Sequence, residues 1–194
     1  MEQVASGIRS SVVGIRTVAV LLGAVVVAAA AQVSIPLPGT PVPMTLQPMA
    51  VLLVGGLLGA RLGALSMILY LAMGAAGLPV FTPTVPLVGV ARLFGPTGGY
   101  LLAYPVAAFA VGALLTPGWQ PGVNKPAWVR VTLGVLAGLV LIHLGGLAQL
   151  AILTGDISAA ARFGTVPFLL GDLIKLAVLV PVLTKLTPTI RARL

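Results

Sequence analysis

The sequence predicts an all-α membrane protein, a compact bundle of six transmembrane helices, and three observations carry that expectation. Hydrophobic residues make up 59% of the chain and charged residues only 7%. The mean hydropathy is +1.15, far from the balance of a soluble domain. The 11 Lys and Arg and the 3 Asp and Glu are too few to clothe a water-facing globule of 194 residues, so the outside must face lipid. At about 20 residues per crossing, the apolar runs fill roughly six spans joined by short loops. Residues 1–194 therefore read as a single domain.

The first span runs from Ile15 to Val33. Arg9 and Arg16 before it, and Ala29, Ala30 and Ala31 near its end, give it some likeness to a signal peptide with a small-residue cleavage site. The apolar run is long enough to cross, however, and cleavage would leave an odd number of crossings, so it is read as helix one. In the following SIPLPGTPVPMTLQP, Pro36, Pro38, Pro41, Pro43 and Pro48 remove backbone donors that a helix needs. This is loop one.

The apolar run from Met49 to Gly77 is interrupted at Gly59, Ala60 and Arg61. A charge at the bilayer centre costs several kcal/mol, which places Arg61 at a turn between two short helices. The first arm of that hairpin is roughly 18 Å long at helical rise, so neighbours must shield it or the bilayer must thin. LPVFTPTVPLVGVARLFGPTGG is then too broken by proline and glycine to span, and its open backbone must be packed on protein or face solvent. Helix four is expected from Gly99 to Leu115. Next comes TPGWQPGVNKPAWVR, a polar turn with Trp119 and Trp128 at interfacial positions. Helix five follows from Val129 to Leu153, then TGDISAAARFG as a short polar connection, then helix six from Val166 to Leu186.

With an even number of helices both termini share a side, and the basic residues choose it. Arg9, Arg16, Arg61, Lys125, Arg130, Lys185, Arg191 and Arg193 fall on the terminal side. The other side holds Arg92 and Arg162, with Lys175 just inside helix six. The bias predicts a multi-pass protein of the cytoplasmic membrane with both termini cytoplasmic. A net charge of +8 would suggest nucleic acid in a soluble protein, but these cations are scattered singly between apolar runs, with no basic stripe, and the reading is no nucleic-acid partner. The absence of cysteine excludes disulfides, thiolate metal sites and cysteine nucleophiles.

Few residues are left to carry chemistry. Asp172 and Lys175 stand three apart in GDLIKL within an apolar helix, so they share a face. They form either a self-neutralising ion pair or polar contacts for a ligand, and the cost of burying two charges favours the ligand. Arg92 lies on the same side in the broken loop, where a guanidinium can grip a carboxylate with two hydrogen bonds; the alternative is an arginine reaching for headgroups. Gly98 and Gly99 suit either a backbone approaching a ligand or a close-packed helix start. His143 stands alone in helix five, with no Asp, Glu, Cys or second His at ligand spacing, and reads as a buried, hydrogen-bonded histidine. No phosphate loop, nucleophile set or carboxylate pair exists, so the chain is read as no enzyme. Ala24 and Ala28, like Ala19 and Gly23, have the four-residue spacing that lets helices approach, either inside the bundle or on a partner.

Three segments carry a resemblance to a known family: GTPVPMTLQPMAVLLVGGLLGARLGALSMILYLAMGAAGLPVF, FGPTGGYLLAYPVAAF and PFLLGDLIKLAV. The sequence resembles BioY, the biotin-specific, substrate-binding S component of energy-coupling factor (ECF) transporters, from about Val33 to Leu183. The resemblance implies six helices, loop one as a lid, and biotin held at the outer side between loop three and helices four to six. It implies that Asp172 serves the ureido ring, that Lys175 adds polar contacts, and that Arg92 meets the valerate carboxylate. It further places Gln47 and Tyr100, within the matched segments, among the ligand-binding residues. An amide side chain expected after GLPVF is missing: the stretch reads TPTVP, so Thr82 or Thr84 stands in its place. Ala24 and Ala28 match the motif by which S components dock on a transmembrane coupling protein, whose two ATPase subunits power release. The expected partners are thus biotin, membrane lipid and an ECF module, with no cofactor and no metal. The rival readings are an S component for another small vitamin and a ligand-free membrane accessory subunit.

Overall fold

The computed structural model describes residues 2–116 and 127–194, with side chains from residue 13 onward. Trp119 and Lys125, and the side chains of Glu2 and Arg9, lie outside the described residues. Among the described residues eight α-helices follow in order: α1 Glu2–Gln32, α2 Gln47–Leu58, α3 Ala60–Ala75, α4 Ala91–Phe94, α5 Gly98–Leu114, α6 Ala127–Thr154, α7 Ile157–Gly164 and α8 Leu169–Arg191. The apolar helices α1, α2, α3, α5, α6 and α8 are the six expected from the sequence. The long apolar stretches are Val13–Gln32, Ala127–Thr154 and Ile157–Arg191, and α2, α3 and α5 are shorter. Leu22, Val140 and Leu173 stand more than half exposed at 58%, 55% and 62%, the apolar exterior that a bilayer requires.

The short arm α2 is shielded by protein, packing against α1, α3, α5, α6 and α8, with Val51 and Leu52 fully buried. Gly59, at φ +86°, makes the turn into α3, a conformation that glycine adopts without strain, and Arg61 is exposed just beyond it. Small residues then set the helix spacing. A Cβ on Gly63 would come within 2.7 Å of the Gly55 Cα. One on Gly99 would strike the Gly145 carbonyl, and one on Gly145 the Gly99 carbonyl. The glycine pair at 98 and 99 therefore serves close helix packing. The same holds for α1. Ala24 is 1% exposed and belongs to the core, and a Cβ on Gly23 would lie 2.5 Å from Ser66 Oγ of α3. Ala24 is thus turned toward the chain's own interior in this structure, and Ala28 beside it is half-buried against the same core.

Several boundaries differ from the sequence reading, the first being the start of α1, which lies at Glu2 and not at Ile15. The connection TGDISAAARFG is not an irregular loop: Ile157–Gly164 is helical, started by Asp156, whose Oδ1 accepts from the Ser158 N–H at 2.7 Å. An N-cap carboxylate satisfies a backbone donor that would otherwise be orphaned, and it stabilises this short helix. Helix six starts later and runs further than expected, from Leu169 to Arg191, after a 3-10 turn over Val166–Phe168. It carries Pro181 and Pro188 inside it, tolerated where packing against neighbours holds the helix together.

The two ends of the bundle have opposite characters. At the end bearing both termini, the Arg16 Nε donates to the Leu194 carbonyl at 2.9 Å. Arg191 donates to the Gly56 and Gly112 carbonyls near the C-termini of α2 and α5, where helix dipoles favour a cation. At the other end, loop one forms a short antiparallel hairpin, β1 Ser34–Ile35 with β2 Met44–Thr45. It lies across the mouth of the bundle.

Candidate binding site

Beneath that hairpin a cavity opens between loop one, loop three, α5, α6 and α8. Val42, Pro43 and Thr45 form its roof, with Gln47 and Pro48 at the start of α2. Phe81, Thr82 and Arg92 come from loop three; Tyr100, Leu101 and Tyr104 from α5; Leu139, Ile142 and His143 from α6; Phe168, Asp172 and Lys175 from the approach to α8 and its first turns. The free space in this cavity is about 50 Å³, room for a few water molecules. A drug-sized ligand needs several hundred Å³, so the loops must yield to admit one.

The charged trio meets in this hollow: Arg92, Asp172 and Lys175 are 1%, 8% and 6% exposed. Lys175 Nζ donates to Asp172 Oδ1 at 2.9 Å across one turn of α8. The second carboxylate oxygen is also taken, because His143 Nε2 lies 2.6 Å from Asp172 Oδ2. An unprotonated ring nitrogen would set its lone pair against the carboxylate, so Nε2 is the nitrogen that donates. His143 is therefore hydrogen-bonded as expected but not isolated. Its acid lies on another helix, 29 residues away in sequence, and no local spacing on α6 reveals it.

Arg92 does two things at once. Its Nη1 donates to the Val85 and Leu87 carbonyls, and its Nη2 to the Thr82 carbonyl at 2.8 Å, so one side chain gathers the irregular backbone of loop three. Its burial lowers its pKa from the ordinary arginine value, since leaving water disfavours the charged form. Of five guanidinium donors, three are committed to carbonyls. The Nε–H, which has no partner, and one Nη2–H remain to meet a ligand. With one carboxylate facing two cations, the walls carry a surplus of positive charge that suits an anionic guest.

The other expected contacts divide. Thr82 is buried and lines the cavity, while Thr84 is exposed and is not among its walls; the two hydroxyls lie 3.1 Å apart, so Thr84 backs Thr82. Gln47 lines the cavity at 3% exposure, but its amide is engaged. Nε2 donates to the Tyr70 hydroxyl, Oε1 accepts from Thr45 Oγ1, and the Tyr70 hydroxyl donates to the Val80 carbonyl at 3.2 Å. Tyr100 supplies a ring wall, its hydroxyl donating to the Gly164 carbonyl, and Gly146 leaves the space its ring occupies. Sequence reasoning missed His143, Tyr104 and Phe168 as walls. It also missed Gln149, whose amide donates to the Leu93 and Gly95 carbonyls at 3.0 and 2.7 Å and pins loop three to α6.

Comparison with known proteins places this architecture. The chain is 38% identical over 165 residues to the biotin transporter BioY of Thermotoga maritima, covering 85% of this chain and 87% of that protein. It is 37% identical over 156 residues to the probable biotin transporter BioY of Pyrococcus horikoshii, covering 80% and 86%. A crystal structure described as the S-component for biotin from an ECF-type ABC transporter superposes with a TM-score of 0.77 at 27% identity, covering 88% of this chain and 89% of that one. The BioY family model matches residues 5–192, and the chain belongs to the BioY family.

Proposed function

We propose that this protein captures biotin at the outer face of the cytoplasmic membrane and carries it inward as the substrate-specific component of an ECF-type transporter. The observation that carries the reading is the cavity that loop one covers, where one buried acceptor and two buried cations share a hollow with aliphatic and aromatic walls. Removing Asp172 and Lys175 from water costs several kcal/mol per ion, and apolar side chains would pack the position at least as well. A ligand that needs an acceptor and a cation together explains why they are there. Biotin presents ureido N–H donors that suit Asp172, an anionic carboxylate that suits the free edge of Arg92 or the Lys175 ammonium, and an apolar chain for Leu101, Leu139 and Ile142. Thr82 takes the place of the amide expected beside the ring. The relatives named as biotin transporters support the same substrate.

The chain has no phosphate-binding loop, so the energy for inward transfer comes from a gradient or from another polypeptide; the likeness to S components makes a coupling protein with two ATPase subunits the expected partner. Arg16, Arg61 and Arg191 cluster around one cleft at the end that bears both termini, which supports a cytoplasmic position for that end. The chain binds and releases its substrate unchanged and needs no cofactor.

The test is equilibrium binding of labelled biotin to the purified protein, with biotin methyl ester as competitor. Tight binding of the acid and a loss of at least tenfold for the ester are expected. Equal affinity for both, or no binding of either, overturns the reading. Copurification from the native membrane asks whether a coupling protein and its ATPases accompany the chain.

A further inference from the structure

We propose that His143 is a positioning residue that sets substrate specificity by clamping the Asp172 carboxylate from the neighbouring helix. This inference rests on the cavity being the biotin site. Lys175 and Asp172 stand on the same helix at a spacing of three, so they move together and their bond cannot hold the carboxylate in place relative to the opposite wall. The bond from His143 Nε2 to Asp172 Oδ2, 2.6 Å long, joins α6 to α8. Among the described residues it is the one side-chain hydrogen bond between these helices. The imidazole has aromatic neighbours, the Tyr100 ring edge-on at 6.3 Å and the Phe168 ring at 6.5 Å, while its Nδ1 has no hydrogen-bond partner.

A carboxylate offers about four lone-pair positions. One on each oxygen is taken, Oδ1 by Lys175 and Oδ2 by His143. The two that remain have fixed directions, and only a donor group that matches them binds well. A clamped acceptor discriminates because a ligand that cannot donate leaves a buried charge under-satisfied. An unclamped carboxylate would swing to compensate. His143 thus governs how strictly the cavity demands N–H donors, without itself having to touch the ligand.

The experiment compares biotin with a derivative methylated on the ureido nitrogens, using wild type, His143→Leu and His143→Gln. A Gln amide nitrogen reaches close to the position of Nε2 and restores the donor. For His143→Leu, affinity for biotin is expected to fall roughly tenfold or more, the scale of one hydrogen bond to a charged group. Affinity for the methylated derivative should change by less than about threefold, and His143→Gln should recover most of the discrimination. In an Asp172→Asn background the leucine substitution should add nothing, since the group it positions is gone.

Equal losses for both ligands, or additive losses in the double variant, overturn the inference and leave the proposed function standing. Failure of the wild type to bind biotin overturns both. Should His143→Leu not fold, the wild type still decides the matter. The chain has a single histidine, so selective nitrogen-15 labelling reports this ring alone. Biotin should shift its Nε2 resonance, and an unmoved resonance counts against the clamp.

Discussion

Thr40 Oγ1, near the tip of loop one, donates a 2.6 Å hydrogen bond to the carbonyl of Phe163 in the last turn of α7. The same oxygen accepts from the Val42 N–H at 3.1 Å, so the hydroxyl fixes the local turn and fastens the tip to the far rim. Behind it, Met44 reaches the first turn of α8, where a Cβ on Gly171 would lie 3.2 Å from its sulfur.

A lid fastened at one hydroxyl should open faster without it. Thr40→Val keeps the shape and removes the donor, and it is expected to raise the biotin dissociation rate about three- to tenfold, the worth of one neutral hydrogen bond. The melting temperature should stay within a few degrees, because the bond lies at the edge of the fold. A chase of bound labelled biotin measures the rate, and an unchanged rate would show that the fastening does not govern release.

Lys175→Ala is expected to cost binding far more than stability. Asp172 keeps its bond to His143, so the carboxylate is not orphaned in the core, and the apolar contacts of α8 are untouched. Calorimetric titration should show affinity reduced by roughly tenfold to a hundredfold with a small drop in melting temperature. A variant that unfolds with its binding would mark the pair as structural.

Arg92→Lys retains the charge and loses the fork. One ammonium cannot serve the carbonyls of Thr82, Val85 and Leu87 together, so loop three should loosen. Proteolysis within residues 82–90 should quicken, and biotin affinity should fall even though a cation remains. Unaltered proteolysis would show that loop three holds itself without the fork.

Much of this was legible in the chain. The prolines of loop one, the break at Gly59 to Arg61 and the six apolar runs are local signals, and the helices followed them. The helix α7 was harder to see because it is only eight residues long. It depends on the Asp156 cap, and a cap and a turn look alike in sequence. Helix α8 outran its expected end at Leu186, continuing through Pro188 to Arg191, where the Arg191 guanidinium bonds to the Gly56 and Gly112 carbonyls of neighbouring helices. Asp172 and Lys175 announced themselves by spacing. His143 did not, because its partner is brought to it only by the packing of α6 on α8, and no periodicity within one helix encodes that contact.

Glycine substitutions test the packing of those helices directly. Gly99→Ala would force a methyl group against the Gly145 carbonyl, a backbone atom that cannot step aside, and should destabilise the protein by about 1–3 kcal/mol or more. Gly14→Ala meets nothing within 4 Å and should be neutral or slightly stabilising, by up to about 1 kcal/mol. Thermal denaturation in detergent compares the two, and equal effects would show that α5 and α6 are not held by their close approach.

The seam at Gly99 and Gly145 has one more outcome, for traffic. Two backbones meeting without side chains between them leave no slack, so α5 and α6 behave as a single plank. Cargo is therefore expected to pass over the rim, past the proline-rich flap, and not sideways between those two staves.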